Sequence, residues 1–192
     1  VGFGVVSWRV MISTLISGIF SHFVPRRILY CSDSAFWYHR KLGFKSSVGE
    51  VVENGIDCER FDSNARVRKI ARQRFQINQG ILVLTCVARC DAQKDHKTLL
   101  HAVRIVRAKL RRDFKLILCG LNIDDENPNL NRLLTFYGLD DVVVKLSRVD
   151  DIENVYRSSD ILILSSISEA LPNVLGEAML SWVLCVSSNV GD

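Results

Sequence analysis

With 192 residues, 48% of them hydrophobic and 24% charged, the chain has the composition of a folded globular protein, which excludes the disordered, collagen-like and disulfide-scaffold classes. A net charge of +4 comes from dispersed basic residues without aromatic interleaving, so nucleic acid is not an expected partner. The six cysteines contain no C-x-x-C pair, and Cys86, Cys119 and Cys185 lie in or beside apolar runs, which predicts reduced, structural thiols and a cytoplasmic setting.

In chain order, residues 1–24 read as one or two helices. Residues 1–10 lack the basic-then-apolar order of a secretory signal. The apolar stretch 10–24 is interrupted by serines, a threonine and His22 and falls short of the ~20 apolar residues of a bilayer span. It predicts a packed helix, with contact at a membrane surface as the alternative. Gly2-Phe3-Gly4 lacks the third glycine and the preceding strand of a dinucleotide fingerprint. Residues 27–31 are strand-like, and Asp33 or Ser34 would cap a helix running through Leu42, closed by Gly43. Asn54-Gly55 marks a turn. A helix is expected over 66–75, and its Arg66, Arg68, Lys69, Arg72 and Arg74 read as a solvated face, with attraction to an anionic membrane surface or an acidic substrate as the alternative.

From residue 81 onward, strands and helices alternate. Residues 81–87 predict a strand. A helical stripe of Leu99, Leu100, Val103, Val106 and Leu110 follows over 98–110. Residues 114–119 predict a strand stopped by Gly120, and 130–137 a helix stopped by Gly138. A strand at 142–146, a short helix at 152–157, a strand at 161–164, a helix from Pro172 and a strand at 183–186 complete the series. Such alternation implies an α/β fold, a parallel sheet with helices on both faces.

On that frame Arg89, Lys94, Gly120, Arg148 and Glu169 fall just after strand ends. Ligands of open α/β sheets bind outside those carboxyl ends. Arginine offers a planar fork to phosphate oxygens and lysine a mobile point charge. The segment from Ser168 to Met179 places Glu169 before a helix N-terminus and Glu177 inside that helix. Free N–H groups at a helix start suit a diphosphate, and ionised carboxylates suit hydroxyls. Diphosphate plus hydroxyls describes a nucleotide sugar. The plain alternative is surface charge for the cations and a dipole-favoured or exposed helix residue for each glutamate. No Walker loop, zinc ligand set or Gly-x-Ser-x-Gly elbow is present. Asp124-Asp125-Glu126, Asp140-Asp141 and Asp150-Asp151 read as solvated loop or cap residues rather than a metal site, and His96 and His101 as structural or exposed.

The spacing Glu169-x7-Glu177 resembles the signature of the retaining, two-domain glycosyltransferases of the GT-B fold, family 4 / group 1. Val52-Glu53-Asn54-Gly55-Ile56-Asp57, then Phe61, resembles the family's crossover into its C-terminal domain. Val87-Ala88-Arg89, Gln93-Lys94-Asp95 and Leu99-Leu100-His101-Ala102 resemble its phosphate-binding turn. The resemblance spans roughly residues 28–192. It implies a Rossmann-like C-terminal half of a GT-B fold, with residues 1–53 as the tail of the acceptor-side domain and crossover. Residues 54–192 would be a nucleotide-sugar domain truncated at its C-terminus.

The implied roles are catalytic for Arg89, Lys94 and Glu169. Donor binding would fall to Arg89, Lys94, Arg148, Val149, Glu169, Leu171, Asn173, Val174, Leu175 and Glu177. The resemblance also implies transfer from a nucleotide-diphosphate sugar to a glycan or lipid-linked acceptor, with no metal or other cofactor, at the inner face of a membrane. A nucleotide-sugar epimerase of similar shape and a non-catalytic nucleotide-binding domain are the alternatives. Three positions depart from the pattern: Ala88 stands where glycine is usual, and Trp182 and Leu184 replace the usual Gly and Pro.

Overall fold

The computed structural model describes residues 8–192, so Gly2-Phe3-Gly4 and the start of the first expected helix lie outside the described residues. The chain divides into two units: residues 1–55, 168–173 and 189–192 form the smaller, and 56–167 with 174–188 the larger.

In the smaller unit, α1 (Trp8–Phe20) precedes β1 (Ile28–Tyr30), α2 (Asp33–Lys41), a 3-10 turn (Ser46–Val48) and β2 (Gly49–Val51). The two strands pair in parallel. The cap of α2 is Ser32 rather than Asp33 or Ser34: its side chain accepts the Ala35 N–H at 3.1 Å. Gly43, at φ +90°, ends that helix as expected. The Tyr30 ring meets Phe36 edge-on at 5.4 Å and His39 meets Phe44 at 4.9 Å, forming an aromatic cluster beneath α2. The packed helix expected over 10–24 is found only in part. It stops at Phe20, and Gly18 alone of its residues is buried, against Leu42 and Phe44.

The larger unit carries α3 (Cys58–Phe61), α4 (Ala65–Arg74), β3 (Leu82–Val87), α5 (His96–Lys109), β4 (Phe114–Cys119), α6 (Pro128–Tyr137) and β5 (Val143–Leu146). It continues with α7 (Ile152–Ser158), β6 (Ile161–Leu164), α8 (Asn173–Leu180) and β7 (Leu184–Ser187). Local chemistry sets these boundaries. Asp57 caps α3 and Asn64 caps α4 by accepting two backbone N–H groups each. Asn127 does the same for α6, which has Pro128 in its first turn and closes on Gly138 at φ +65°.

All five strands are parallel, in the order β5-β4-β3-β6-β7. Chain order therefore reverses between β3 and β6: the sheet grows outward from β3 through β4 and β5, then restarts on β3's other side. One core packs Leu84, Leu99, Leu100, Leu116, Leu118, Leu130 and Leu134 between sheet and helices. A second joins Phe61, Tyr156, Leu162, Ala178 and Val183. Helices thus cover both faces, and the predominantly apolar sequences of β3, β4 and β6, interrupted only by Thr85 and Lys115, follow from burial on both sides.

The basic stretch of α4 is not uniformly solvated. Arg72 is 1% exposed. Its Nε donates to Ser158 O (3.1 Å), and its terminal nitrogens donate to the carbonyls of Asn78, Gln79 and Ile81 and to Asp160 Oδ2 (2.7 Å). Asp160 also pairs with Arg68 and accepts the Val83 N–H at 2.8 Å, so a charged cluster fastens α4 to the starts of β3 and β6. Arg66 and Lys69 remain exposed, and Arg74 pairs with Asp151.

Candidate nucleotide-sugar site

The strand order reverses between β3 and β6, and the carboxyl ends of these two strands form the switch point, the place where ligands of such sheets bind. The turn leaving β3 there is built by one aspartate. Asp91 Oδ1 accepts the Lys94 N–H (3.1 Å), closing a 3-10 turn at Ala92–Lys94, while Oδ2 lies 3.3 Å from the Arg89 guanidinium. Asp95 follows at φ +45° and caps α5 by accepting the Thr98 N–H. The loop leaving β6 clamps this turn. Ile167 N–H donates to Gln93 O (2.8 Å), and the Ser165 hydroxyl donates to the carbonyls of Lys94 (2.9 Å) and Asp95 (3.1 Å). Arg89 is exposed and Lys94 half-buried, so two cations five residues apart sit on a fixed turn at the switch point.

Gly120 makes the turn possible. At φ +147° it follows β4, and a Cβ there would overlap the carbonyl of Ala88. Its N–H is shared between the carbonyls of Leu146 and Ser147 (both 2.9 Å), fixing the exit of β5. Arg148 and Val149 come next, the first exposed and the second packed against the core beside Val144 and Leu146.

Glu177 lies in the second turn of α8, half-buried. Its Oε2 accepts the hydroxyl of Tyr156 at 2.7 Å. Val174 and Leu175, in the first turn, pack into the second core. Pro172 sits one residue before the helix rather than inside it. Residues 168–173 of this motif belong to the smaller unit. Within it Asn173 Oδ1 accepts the Asn54 amide (2.9 Å), and Gly191 approaches the carbonyls of Glu169 and Ala170 so closely that a Cβ would lie at 2.7 and 2.9 Å. Leu171 is half-buried there. Arg89 and Lys94 are thus brought onto one turn, Arg148 and Val149 occupy the neighbouring strand exit, and Glu169 and Glu177 fall in different units.

Burial pushes the Cys86 thiol up to about 12, against the opposing charge of Lys94, and the Cys119 thiol to about 11. All six cysteines are free. Burial lowers the His96 imidazole, helped by Lys94 and opposed by Asp91 and Asp95. Among the described residues no group of three or more His, Cys, Asp or Glu side chains is arranged to hold a metal. Among the described residues no helix is long and apolar enough to cross a membrane.

A cleft of about 420 Å³ lies at the other end of the sheet, lined by Ile81, Arg107, Arg112, Phe114, Lys115 and Asp141. Its cations are committed: Arg107 to Gly138 O and Asp141, Lys115 to Asp141 O, Arg112 to Gly80 O.

Residues 67–192, which contain the turn, the switch point and both glutamates, match the family described as glycosyl transferases group 1. The chain belongs to this family. Its relatives include D-inositol 3-phosphate glycosyltransferase of Salinispora tropica, 29% identical over 154 residues, covering 74% of this chain and 32% of that protein. A second is UDP-Gal:alpha-D-GlcNAc-diphosphoundecaprenol alpha-1,3-galactosyltransferase of Escherichia coli, 26% identical over 145 residues, covering 73% of this chain and 36% of that protein. The chain thus spans about a third of the length of these curated relatives.

Among solved structures, Anabaena HepE in complex with UDP and glucose superposes with a TM-score of 0.84 at 19% identity, over 94% of this chain and 49% of its own. The C-terminal domain of the group 1 family protein LpcC from Francisella tularensis superposes at 0.60 and 22% identity, over 71% and 72% of the two chains. The parallel five-stranded fold of this group 1 glycosyltransferase chain is that of GT-B C-terminal domains.

Two contributors were missed from sequence. Asp91 carried a legible signal, an aspartate three residues before the cation whose N–H it caps. Tyr156 carried none, because its partner lies 21 residues away on another helix.

Proposed function

We propose that the larger unit binds a nucleotide-diphosphate sugar and that the whole protein transfers the sugar, with retention, to a glycan or lipid-linked acceptor. The carrying observation is the Arg89–Lys94 turn, fixed by Asp91 and Ser165 at the β3/β6 switch point inside the family match. Arg89 and Lys94 face the diphosphate and stabilise charge as the bond between the anomeric carbon and the diphosphate oxygen breaks. The nucleoside diphosphate leaves with the electron pair, and the acceptor oxygen bonds to the anomeric carbon and passes its proton to the departing diphosphate oxygen. Each preorganised donor on a developing anion is typically worth about 2.7–4 kcal/mol. Glu169 accepts from sugar hydroxyls and Glu177 from the ribose. Arg148 and Val149 border the nucleobase. Leu171, Asn173, Val174 and Leu175 lie near the diphosphate at the start of α8.

A hexosyltransferase of family 4 working without a metal is the form that best suits a cationic pair in this place. A role in polysaccharide or glycan biosynthesis, at the cytoplasmic face of a membrane, is supported by the likeness to the diphosphoundecaprenol galactosyltransferase. HepE, solved with UDP and glucose, supports a uridine nucleotide.

Calorimetric titration of UDP-glucose, UDP-galactose and GDP-mannose tests this reading. Arg89→Ala and Lys94→Ala should each weaken the sugar nucleotide that binds by about tenfold or more. Unchanged affinity in both variants removes their role. Epimerised sugar nucleotide formed without acceptor would assign an epimerase instead. Binding without turnover in the full-length protein would assign a non-catalytic module.

A further inference from the structure

Tyr156 is a large side chain with no exposed surface, packed among Phe61, Leu162, Ala178 and Val183. The Phe61 ring meets it edge-on at 5.8 Å, and α3 is itself fixed where Ser181 donates its hydroxyl to Phe61 O (2.9 Å). The phenol oxygen therefore has one position. From it the hydroxyl donates to Glu177 Oε2 at 2.7 Å, the separation of a charge-assisted bond. Among the described residues no hydrogen bond reaches Glu177 Oε1. One carboxylate oxygen is anchored from below by a buried donor, and the other keeps its full acceptor capacity. Gly176, the residue before Glu177 on α8, lies against Ile56, whose Cδ1 a Cβ there would overlap. Burial, reinforced by the hydrogen bond to Glu177, keeps the phenol protonated and so always a donor.

We infer that Tyr156 is a positioning residue for nucleotide recognition: it locks the Glu177 carboxylate in the rotamer that presents Oε1 to the 2′-hydroxyl of the bound ribose. This rests on the proposed ribose contact of Glu177. A glutamate on an exposed helix turn samples several rotamers, and fixing it beforehand removes that ordering cost from binding. The benefit is confined to ligands that carry the hydroxyl, so Tyr156 contributes to ribose selectivity rather than to affinity in general.

The test is calorimetric titration of the 192-residue chain with UDP and GDP and with their 2′-deoxy counterparts, using wild type, Tyr156→Phe and Glu177→Ala. The wild-type chain should prefer the ribonucleotide by about tenfold. Tyr156→Phe keeps the ring and its packing. It should weaken the ribonucleotide about fivefold while leaving the deoxynucleotide within about twofold, and Glu177→Ala should abolish the preference. If Glu177→Ala abolishes the preference and Tyr156→Phe leaves it intact, or weakens both ligands equally, the positioning role is overturned while the ribose contact stands. If Glu177→Ala leaves the preference intact, or neither nucleotide binds the wild-type chain, the ribose contact falls and the inference with it.

Discussion

The end of α8 offers a clean test of backbone against side chain. Trp182 adopts φ +60°, in the left-handed region. Its N–H donates to Met179 O and the Val183 N–H to Ala178 O, both at 3.0 Å, the paired bonds of a Schellman closure whose left-handed position is usually glycine. The apolar contact that accompanies the motif is present, since Ala178 and Val183 share a core. Trp182 itself is 82% exposed, so truncating it removes little packing, and the same amount in any small variant.

Comparing Trp182→Gly with Trp182→Ala therefore isolates the backbone. A left-handed conformation costs an L-residue roughly 1–2 kcal/mol. Glycine's extra freedom in the unfolded chain offsets about 0.4–1 kcal/mol of that. Trp182→Gly should be more stable than Trp182→Ala by roughly 1 kcal/mol, or about 2–4 °C in Tm for a chain of this size. At an ordinary helical position the order reverses, with glycine about 0.5–1 kcal/mol below alanine. Thermal melts of the two variants followed by circular dichroism decide it. Alanine equal to or above glycine would refute the left-handed closure.

Asp160→Ala should cost about 3–5 kcal/mol, because it strands the buried charge of Arg72; a denaturant midpoint implying less than about 1 kcal/mol would contradict the cluster. His96 is 4% exposed, with neither ring nitrogen hydrogen-bonded among the described residues, and burial holds its pKa below the unfolded value near 6.5. Only the unfolded chain then gains this proton as pH falls through that value, so His96 contributes stability that is full above pH ~6.5 and is lost below it. Tm should decline under acid conditions in wild type and decline less in His96→Leu; parallel curves would exclude the group.

Strands 114–119 and 161–164 were legible to the residue, because each is a mostly apolar run, broken only by Lys115, that ends at a glycine or small polar residues. Helix starts moved by up to two residues, where capping by Asn127 and Asp95 overrides the apolar stripe. The short β2 and α3 were missed: Gly49-Glu50-Val51 has no apolar run, and four residues show no helical period. The burial of Arg72 was illegible because its counter-charge lies 88 residues away, and the exposure of α1 because hydropathy records how apolar a helix is and not what packs on it. For the site, strand ends were enough to locate Arg89 and Lys94. The partners that orient them and Glu177 are tertiary, apart from Asp91.

Whether a nucleoside diphosphate binds at the carboxyl ends of β3 and β6 is measured directly by a crystal structure of the chain with bound UDP. Its phosphate oxygens should lie within hydrogen-bond distance of the Arg89 guanidinium or the Lys94 ammonium. Phosphates seated instead at the opposite end of the sheet, among Arg107, Arg112 and Lys115, would contradict the account.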